Sequence, residues 1–400
     1  SDEVIQIDPG TNLINWVSKK RNILILQNID KLLLITIITL LIGGMVMLAS
    51  ASMPLAERSF GDPFAYLYKQ SSAVFLGIIA SLIFFLTPSQ YWEKLGILTP
   101  IFAIGLLSLV FIPDLGVTVN GATRWIKWGP LPNIQVVDPA RLLFFLYIAG
   151  YCVRQQEQLR MTFVSFLKPM IFIVPACLLL LLQPDFGSTV VLLIVTAALF
   201  FVAGFKFRYF TVIVLALVGI LGLLAYISPY RMARITSFMN PWDDPFNSGY
   251  QLTQSLIAIG RGQWFGVGLG EGVQKLFYLP EAHTDFIFAV IAEELGLIGS
   301  LLIIGLYAVL IWRIFSIALK AINRKRIFQG YLSFAIAIWF TTQVIINIGV
   351  NMGLLPTKGL TLPLISYGRS SMIITLITLA IVLRIGCENP RTKVNKKIGG

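Results

Sequence analysis

The chain has 400 residues, 56% of them hydrophobic and only 12% charged, with a mean hydropathy of +0.81. Soluble globular domains carry about 25% charged residues, so this composition excludes that class and points to an all-α polytopic membrane protein. The formal net charge of +12 would suit nucleic acid, but the basic residues fall on alternate inter-helix segments, as they do in cytoplasmic loops, and no nucleic-acid partner is expected.

In chain order, residues 1–30 read as a cytoplasmic tail whose stretch 12–31 is either a surface helix or a loose basic segment. A polar stretch precedes the first apolar run, which argues against a cleavable signal and makes that run an uncleaved anchor. Crossing a bilayer takes about 20 mostly apolar residues. Such runs lie near 32–52, 71–87, 95–112, 139–153, 168–183, 187–204, 208–228, 286–312, 328–350 and 370–386. About ten transmembrane helices are therefore predicted within 31–387, followed by a second tail at 388–400. The runs starting at 139, 168 and 187 are short enough to be broken or re-entrant. With the N-terminus inside, clusters such as Arg313, Lys320, Arg324, Lys325 and Arg326, or Arg384, Arg391, Lys393, Lys396 and Lys397, face the cytoplasm, and both termini are assigned there. Cys152, Cys177 and Cys387 lie in or beside apolar runs without paired spacing, which suits packing rather than a disulfide framework or zinc site.

The expected outer loops are 113–138, 229–284 and 351–369, the second being a large extracytoplasmic loop between predicted helices 7 and 8. Long loops in a compact protein are usually functional. The first two combine Trp, Arg and Gly, a composition suited to the lipid interface, and 249–260 is expected to lie along it as a short amphipathic helix. The third alternates Gly and Pro with hydroxyls, and irregular backbone at membrane depth persists only under protein or beside a wet cavity. All three are expected to wall one extracytoplasmic cavity.

The stretch "LPEAHTDFIFAVIAEELG" (279–296) carries the only histidine, His283, with Glu281, Thr284 and Asp285 around it. Thr284 or Asp285 fits a helix cap, and Asp285 equally fits a general base. The same loop holds Arg231, Arg234, Arg261 and Lys275, cations suited to phosphate oxygens. Acids and cations converging on an outer cavity suggest an anionic, membrane-borne substrate that must be clamped and deprotonated. A lone histidine is a poor basis for a metal site and a better one for orienting the turn. Glu293 and Glu294 sit about 12 Å deeper at 1.5 Å per residue; they are either functional intramembrane carboxylates or partners of Arg or hydroxyls on neighbouring helices. Asp138 is expected to cap a helix with Pro139 in its first position and to pair with Arg141. Asp185 is expected to cap the next helix but one.

"GATRWI" (121–126), "QPDFGST" (183–189), "GYQLTQSLIAIGRG" (249–262), "LPEAHTDFIFA" (279–289) and "GLTLPLISYG" (359–368) together resemble the SEDS family (shape, elongation, division and sporulation), and its cell-division branch more than its elongation branch. The resemblance spans about residues 30 to 386. It implies ten membrane helices and a peptidoglycan glycosyltransferase that polymerises lipid II into glycan strands. Its location would be the bacterial inner membrane at the division septum. Its expected partners are lipid II, the nascent glycan strand, a class B penicillin-binding transpeptidase and other divisome membrane proteins. By motif match Asp285 is the catalytic aspartate and Arg124 and Lys358 are essential cations. Asp138, Arg141, Arg261, Lys275, Glu281, His283, Thr284, Ser366 and Ser370 are further candidates for substrate contact. No cofactor is required by this chemistry, and a divalent cation on the diphosphate is left open. Arg369 stands where the family usually carries a second glycine. The alternatives are a transporter of lipid II and a non-catalytic divisome scaffold.

Overall fold

The computed structural model describes residues 28–119, 121–127, 133–206, isolated positions between 211 and 227, 238–247, 249–356 and 359–388. Its helices are α1 (Lys31–Phe60), α2 (Ala65–Leu86), α3 (Gln90–Lys94), α4 (Leu98–Leu109), α5 (Val137–Arg154), α6 (Gln156–Met161), α7 (Val164–Leu182), α8 (Phe186–Val202), α9 (Tyr250–Gly262), α10 (Ile287–Asn323), α11 (Ile327–Asn351) and α12 (Arg369–Cys387). Each apolar run expected from the sequence coincides with one of these except 208–228, which lies largely outside the described residues, as does most of 12–31. Among the described residues six helices, α1, α2, α7, α10, α11 and α12, are long and apolar enough to cross a membrane, while α4 and α8 are shorter apolar helices. The chain is a polytopic membrane protein: α2 leaves Phe75, Leu82, Ile83 and Leu86 exposed, a face that only hydrocarbon would cover.

Local chemistry fixes the ends. Asp30 accepts the Leu33 N–H at 3.0 Å to cap α1, and it also pairs with Arg313 of α10. Gly61 closes α1 in the left-handed region at φ 70° and returns its N–H to Glu57, as a C-terminal glycine commonly does. Asp185 caps α8 as expected, accepting the Ser188 N–H at 3.1 Å. Asp138 does not cap α5. The N-cap is Val136 without a side-chain bond, and Asp138 lies buried in the first turn, where pairing with Arg141 replaces the capping role.

Loop 113–138 is not irregular throughout. Strands β1 (Gly116–Val119), β2 (Ala122–Ile126) and β3 (Ile134–Gln135) form an antiparallel sheet in the order β1-β2-β3, with Gly116 opposite Ile126 and Trp125 opposite Gln135. The amphipathic 249–260 segment is α9, which packs on α10.

The element that positions the rest is the break in α10. Gly296 has φ 68° and ψ −164°, which divides the helix. The chain just after α9 threads into the break: Val267 N–H donates to Glu293 O at 3.0 Å, Gly268 N–H to Glu294 O at 3.1 Å and Leu297 N–H to Gln263 O at 2.8 Å. Backbone groups freed by the break must find partners at membrane depth, and this loop supplies them. The approach is close enough to demand glycine: a Cβ on Gly262 would stand 1.8 Å from Ala292 O, and one on Gly266 would stand 2.1 Å from Glu294 O.

Gly266→Ala should therefore cost about 3 kcal/mol or more, a backbone clash at a left-handed position. Gly270→Ala, also left-handed but facing open space, should cost only about 1–2 kcal/mol. Thermal unfolding of both variants in detergent checks the contrast.

Candidate active site

The half-helix before the break is buried from Ile287 to Glu294, and Asp285 stands at its N-terminal end, half-buried. The N-cap is Phe286, which makes no side-chain cap bond, so Asp285 lies one residue outside the capping position. Its main chain is anchored. Asn347 and Asn351, one turn apart on α11, donate Nδ2 to the Asp285 carbonyl at 2.9 and 3.0 Å. Asn351 Oδ1 also accepts the Ala289 N–H at 3.0 Å. The side chain reaches the exposed start of the 359–368 loop, where a Cβ on Gly359 would meet Asp285 Oδ2 at 2.5 Å. Gly359 leaves room for the carboxylate.

That loop is pinned along its length. Leu360 O accepts from Asn347 at 2.6 Å, Thr361 O from Gln343 at 2.8 Å and Pro363 O from the Tyr307 hydroxyl. Ser366 accepts the Leu362 N–H at 2.7 Å and donates to Thr284 O at 2.6 Å, while Tyr367 N–H donates to His283 O at 2.9 Å. Gln70 of α2, fully buried, donates to Ser366 O and accepts the Gly368 N–H. Ser366 is thus a splint between loop and turn. Ser370, at the start of α12, accepts the Gln135 N–H of β3 at 3.1 Å, tying the sheet to the same corner.

His283 is buried against two rings, Tyr66 at 4.9 Å and Tyr367 at 5.6 Å between centroids. Burial lowers its pKa below the usual 6.5, and the neighbouring Glu281 opposes this weakly. A neutral imidazole packed between tyrosines orients the turn. Thr284 Oγ donates to the exposed Glu281 carboxylate at 2.6 Å, so these two brace the rim. Among the described residues no group of three or more His, Cys, Asp or Glu is placed to hold a metal.

Arg124 projects from β2 onto the α7–α8 turn, donating Nε to Gln183 O at 3.2 Å and Nη2 to Pro184 O at 2.5 Å. The same turn leads into α8, whose Gly187 abuts Leu360, the residue after Gly359. Asp138 and Arg141 pair at 2.9 Å, both buried. Arg141 also donates to Ser188 at 3.4 Å, and Ser188 donates to Asp185 at 2.6 Å. Their bonds run beneath the Arg124 turn. Arg141 Nε and Nη1 have no hydrogen-bond partner among the described residues, and its guanidinium lies 5.3 Å from the Trp339 ring centroid.

Two candidates lie elsewhere. Lys275 is buried and donates to Glu294 at 2.7 Å, Ser50 at 2.8 Å and Gly270 O at 2.7 Å. Arg261 lies 3.8 Å from Glu293 with its side chain 45% exposed. Of the two readings of Glu293 and Glu294, the structure takes the second: both are partners of neighbouring groups rather than free intramembrane acids. Lys358, Arg231 and Arg234 lie outside the described residues. The residues that sequence reasoning passed over are Gln70, Asn347, Asn351, Tyr66 and Gly359. Asn347 and Asn351 did carry a signal, two amides four residues apart inside an apolar run.

A profile of the FtsW/RodA/SpoVE cell cycle protein family matches residues 30–390. This chain belongs to that family. Within the family it is 50% identical over 377 residues to the probable peptidoglycan glycosyltransferase FtsW of Thioalkalivibrio sulfidiphilus, covering 94% of each chain. It is 49% identical over 360 residues to the FtsW of Legionella pneumophila, covering 90% of this chain and 91% of that one. Among solved structures it resembles a chain from a peptidoglycan synthase complex, described as coordinating polymerization and crosslinking. The TM-score is 0.73 at 29% identity, over 90% of this chain and 98% of that one. It also resembles the rod shape determining protein RodA of Thermus thermophilus, with a TM-score of 0.66 at 28% identity over 91% and 98% of the two chains. The SEDS resemblance carried by the motifs is this same family.

The depressed His283 pKa has a consequence with a definite sign. The unfolded imidazole protonates near pH 6.5 while the folded one resists, so stability is complete above that pH and is lost as pH falls through the lower folded value. The melting temperature of the purified protein should drop as pH falls below about 6.5, and His283→Phe should flatten that drop.

Proposed function

We propose that this chain is a peptidoglycan glycosyltransferase polymerising lipid II during septal cell-wall synthesis, with Asp285 as its base. The names of relatives at about half identity over most of the chain support the activity. One observation carries the residue assignment: a carboxylate at the start of a buried half-helix, its main chain held by two asparagines, lies against an open glycine whose neighbour Leu360 packs on the helix that follows the Arg124-bound turn.

In this reading the Asp285 carboxylate removes the proton from the GlcNAc 4-hydroxyl of the acceptor. That oxygen forms a bond to MurNAc C1 of the donor as the bond from C1 to the diphosphate oxygen breaks. C1 inverts, and the electron pair leaves on undecaprenyl diphosphate. A single carboxylate base serving an inverting centre follows general glycosyl-transfer logic, and cations absorb the leaving charge. Arg124 and Lys358 take that role by family match, with Ser366, Thr284, Glu281, His283 and Ser370 shaping the rim. Asp138 and Arg141 act through the α7–α8 turn, and Lys275 and Arg261 through the loop at the helix break. The two intramembrane carboxylates that a transporter would use are committed to that loop. A class B transpeptidase and other divisome proteins are the proposed partners, in the inner membrane with both termini cytoplasmic.

Glycan polymer formed from purified lipid II tests this. Asp285→Asn should lower polymer yield by at least about a hundred-fold, the scale of a lost general base, with unchanged thermal stability. Gly359→Ala, whose methyl would displace the carboxylate, should lower it by about ten-fold or more. Full activity in Asp285→Asn would reject the base.

A further inference from the structure

One face of α1 carries a feature that the mechanism above does not use. Met45, Val46, Ala49 and Met53, which recur on that face, form a cavity of about 450 Å³ with Leu67 of α2 and Leu269 of the outer loop. The lining is almost entirely hydrocarbon, and Val46 and Leu269 are exposed, so the groove opens toward lipid. It follows α1 for roughly 12 Å at 1.5 Å per residue, in the half of the helix nearer the α1–α2 turn. Its wall is fixed rather than loose. Gly270, beside Leu269, donates its N–H to Glu294 at 3.0 Å, and Ser50, beside Ala49, donates to the same carboxylate at 2.7 Å.

Beyond the groove, toward the turn, two cations rest on aromatic rings. Lys69 Nζ lies 3.5 Å from the Phe60 ring centroid, and the Arg58 guanidinium lies 4.9 Å from that of Phe277. Tyr66, adjacent to Leu67 of the groove wall, contacts both His283 and Tyr367 at 4.9 Å. An apolar slot, a cationic rim and the turn that carries Asp285 therefore meet at the start of α2. A slot for hydrocarbon beside two cations at the α1–α2 turn is complementary to a lipid with an anionic head.

We propose that this groove is a lipid site that takes the isoprenoid tail of a prenyl diphosphate-linked saccharide, with Arg58 and Lys69 meeting its diphosphate. The inference rests on the polymerase reading, in which two prenyl-linked substrates meet at Asp285 and one diphosphate goes to Arg124. The α1–α2 groove serves the other.

The test uses the full chain in phosphatidylcholine nanodiscs with a photoreactive polyprenyl diphosphate. The label should enter the peptide containing residues 45–53, and unlabelled polyprenyl diphosphate should compete for it. Ala49→Trp, which fills the groove, should cut that labelling several-fold, and Val46→Phe serves the same purpose should the first variant fail to fold. Ile79→Trp, on the exposed face of α2, should leave it unchanged. Arg58→Gln combined with Lys69→Gln should weaken competition by the diphosphate by about ten-fold, the loss of a charge-assisted contact, and leave competition by uncharged polyprenol intact. Equal competition by phosphatidylglycerol, or wild-type labelling of the filled groove, overturns the proposal and makes the groove a bulk-lipid surface. Labelling needs no turnover, so the two readings fail separately: a labelled groove in a protein whose Asp285→Asn variant still polymerises keeps the lipid site and rejects the base.

Discussion

The structure depends on two adjacent carboxylates buried inside a broken helix. An unpaired charge at membrane depth costs several kcal/mol, and neither Glu293 nor Glu294 is unpaired. Glu294 accepts from Lys275, Ser50 and the Gly270 N–H. Glu293 accepts from the Val273 and Gln274 N–H groups and lies near Arg261. These bonds stitch the loop after α9 into the gap at Gly296 and tie it to α1. Once α10 is divided and locked there, its first half is a short, fully packed rod, and Asp285 has one place to stand. A charge pair that is costly to bury is thereby converted into positional precision for a group eight to nine residues away.

The Asp285 turn is held by a different device, main-chain clamping. Asn347 and Asn351 hold the Asp285 carbonyl, Ser366 holds that of Thr284, and the Tyr367 N–H holds that of His283. The bonds fall on carbonyls, so the turn is positioned through its main chain. Arg124 is handled similarly, its guanidinium resting on two backbone carbonyls of the α7–α8 turn. A carbonyl carries only a partial charge, so the arginine retains most of its attraction for an anion.

Much of this was legible in the sequence. Apolar run length located the helices because hydrocarbon thickness sets a minimum that few other segments meet, and the family motifs singled out Asp285, Arg124 and the 359–368 loop as candidates. Three features were hidden for physical reasons. The break in α10 rests on one glycine, two residues after Glu294, in a run whose hydropathy still reads as a single span, and hydropathy does not register φ. Lys275 looked like a phosphate ligand because its loop is long and basic, and only the fold brings Glu294 to it from nineteen positions away. The β1–β3 sheet is three short strands in a loop whose Gly and Pro content resembles irregular backbone, and its pairing is set by the Gly121 turn rather than by strong alternation. The Asp138 reading was half right: the proline directly after it suggested a cap that the side chain does not make, while the expected pair with Arg141 forms.

A double-mutant cycle on Lys275 and Glu294, read from the unfolding free energy of the purified protein, tests the central constraint. Lys275→Met and Glu294→Gln should each destabilise by about 3 kcal/mol or more, because each leaves a buried partner charged and alone. The double variant should recover at least about 2 kcal/mol of their sum. Additivity to within about 0.5 kcal/mol would show that the two groups do not act as a pair, and that the broken helix is held by something else.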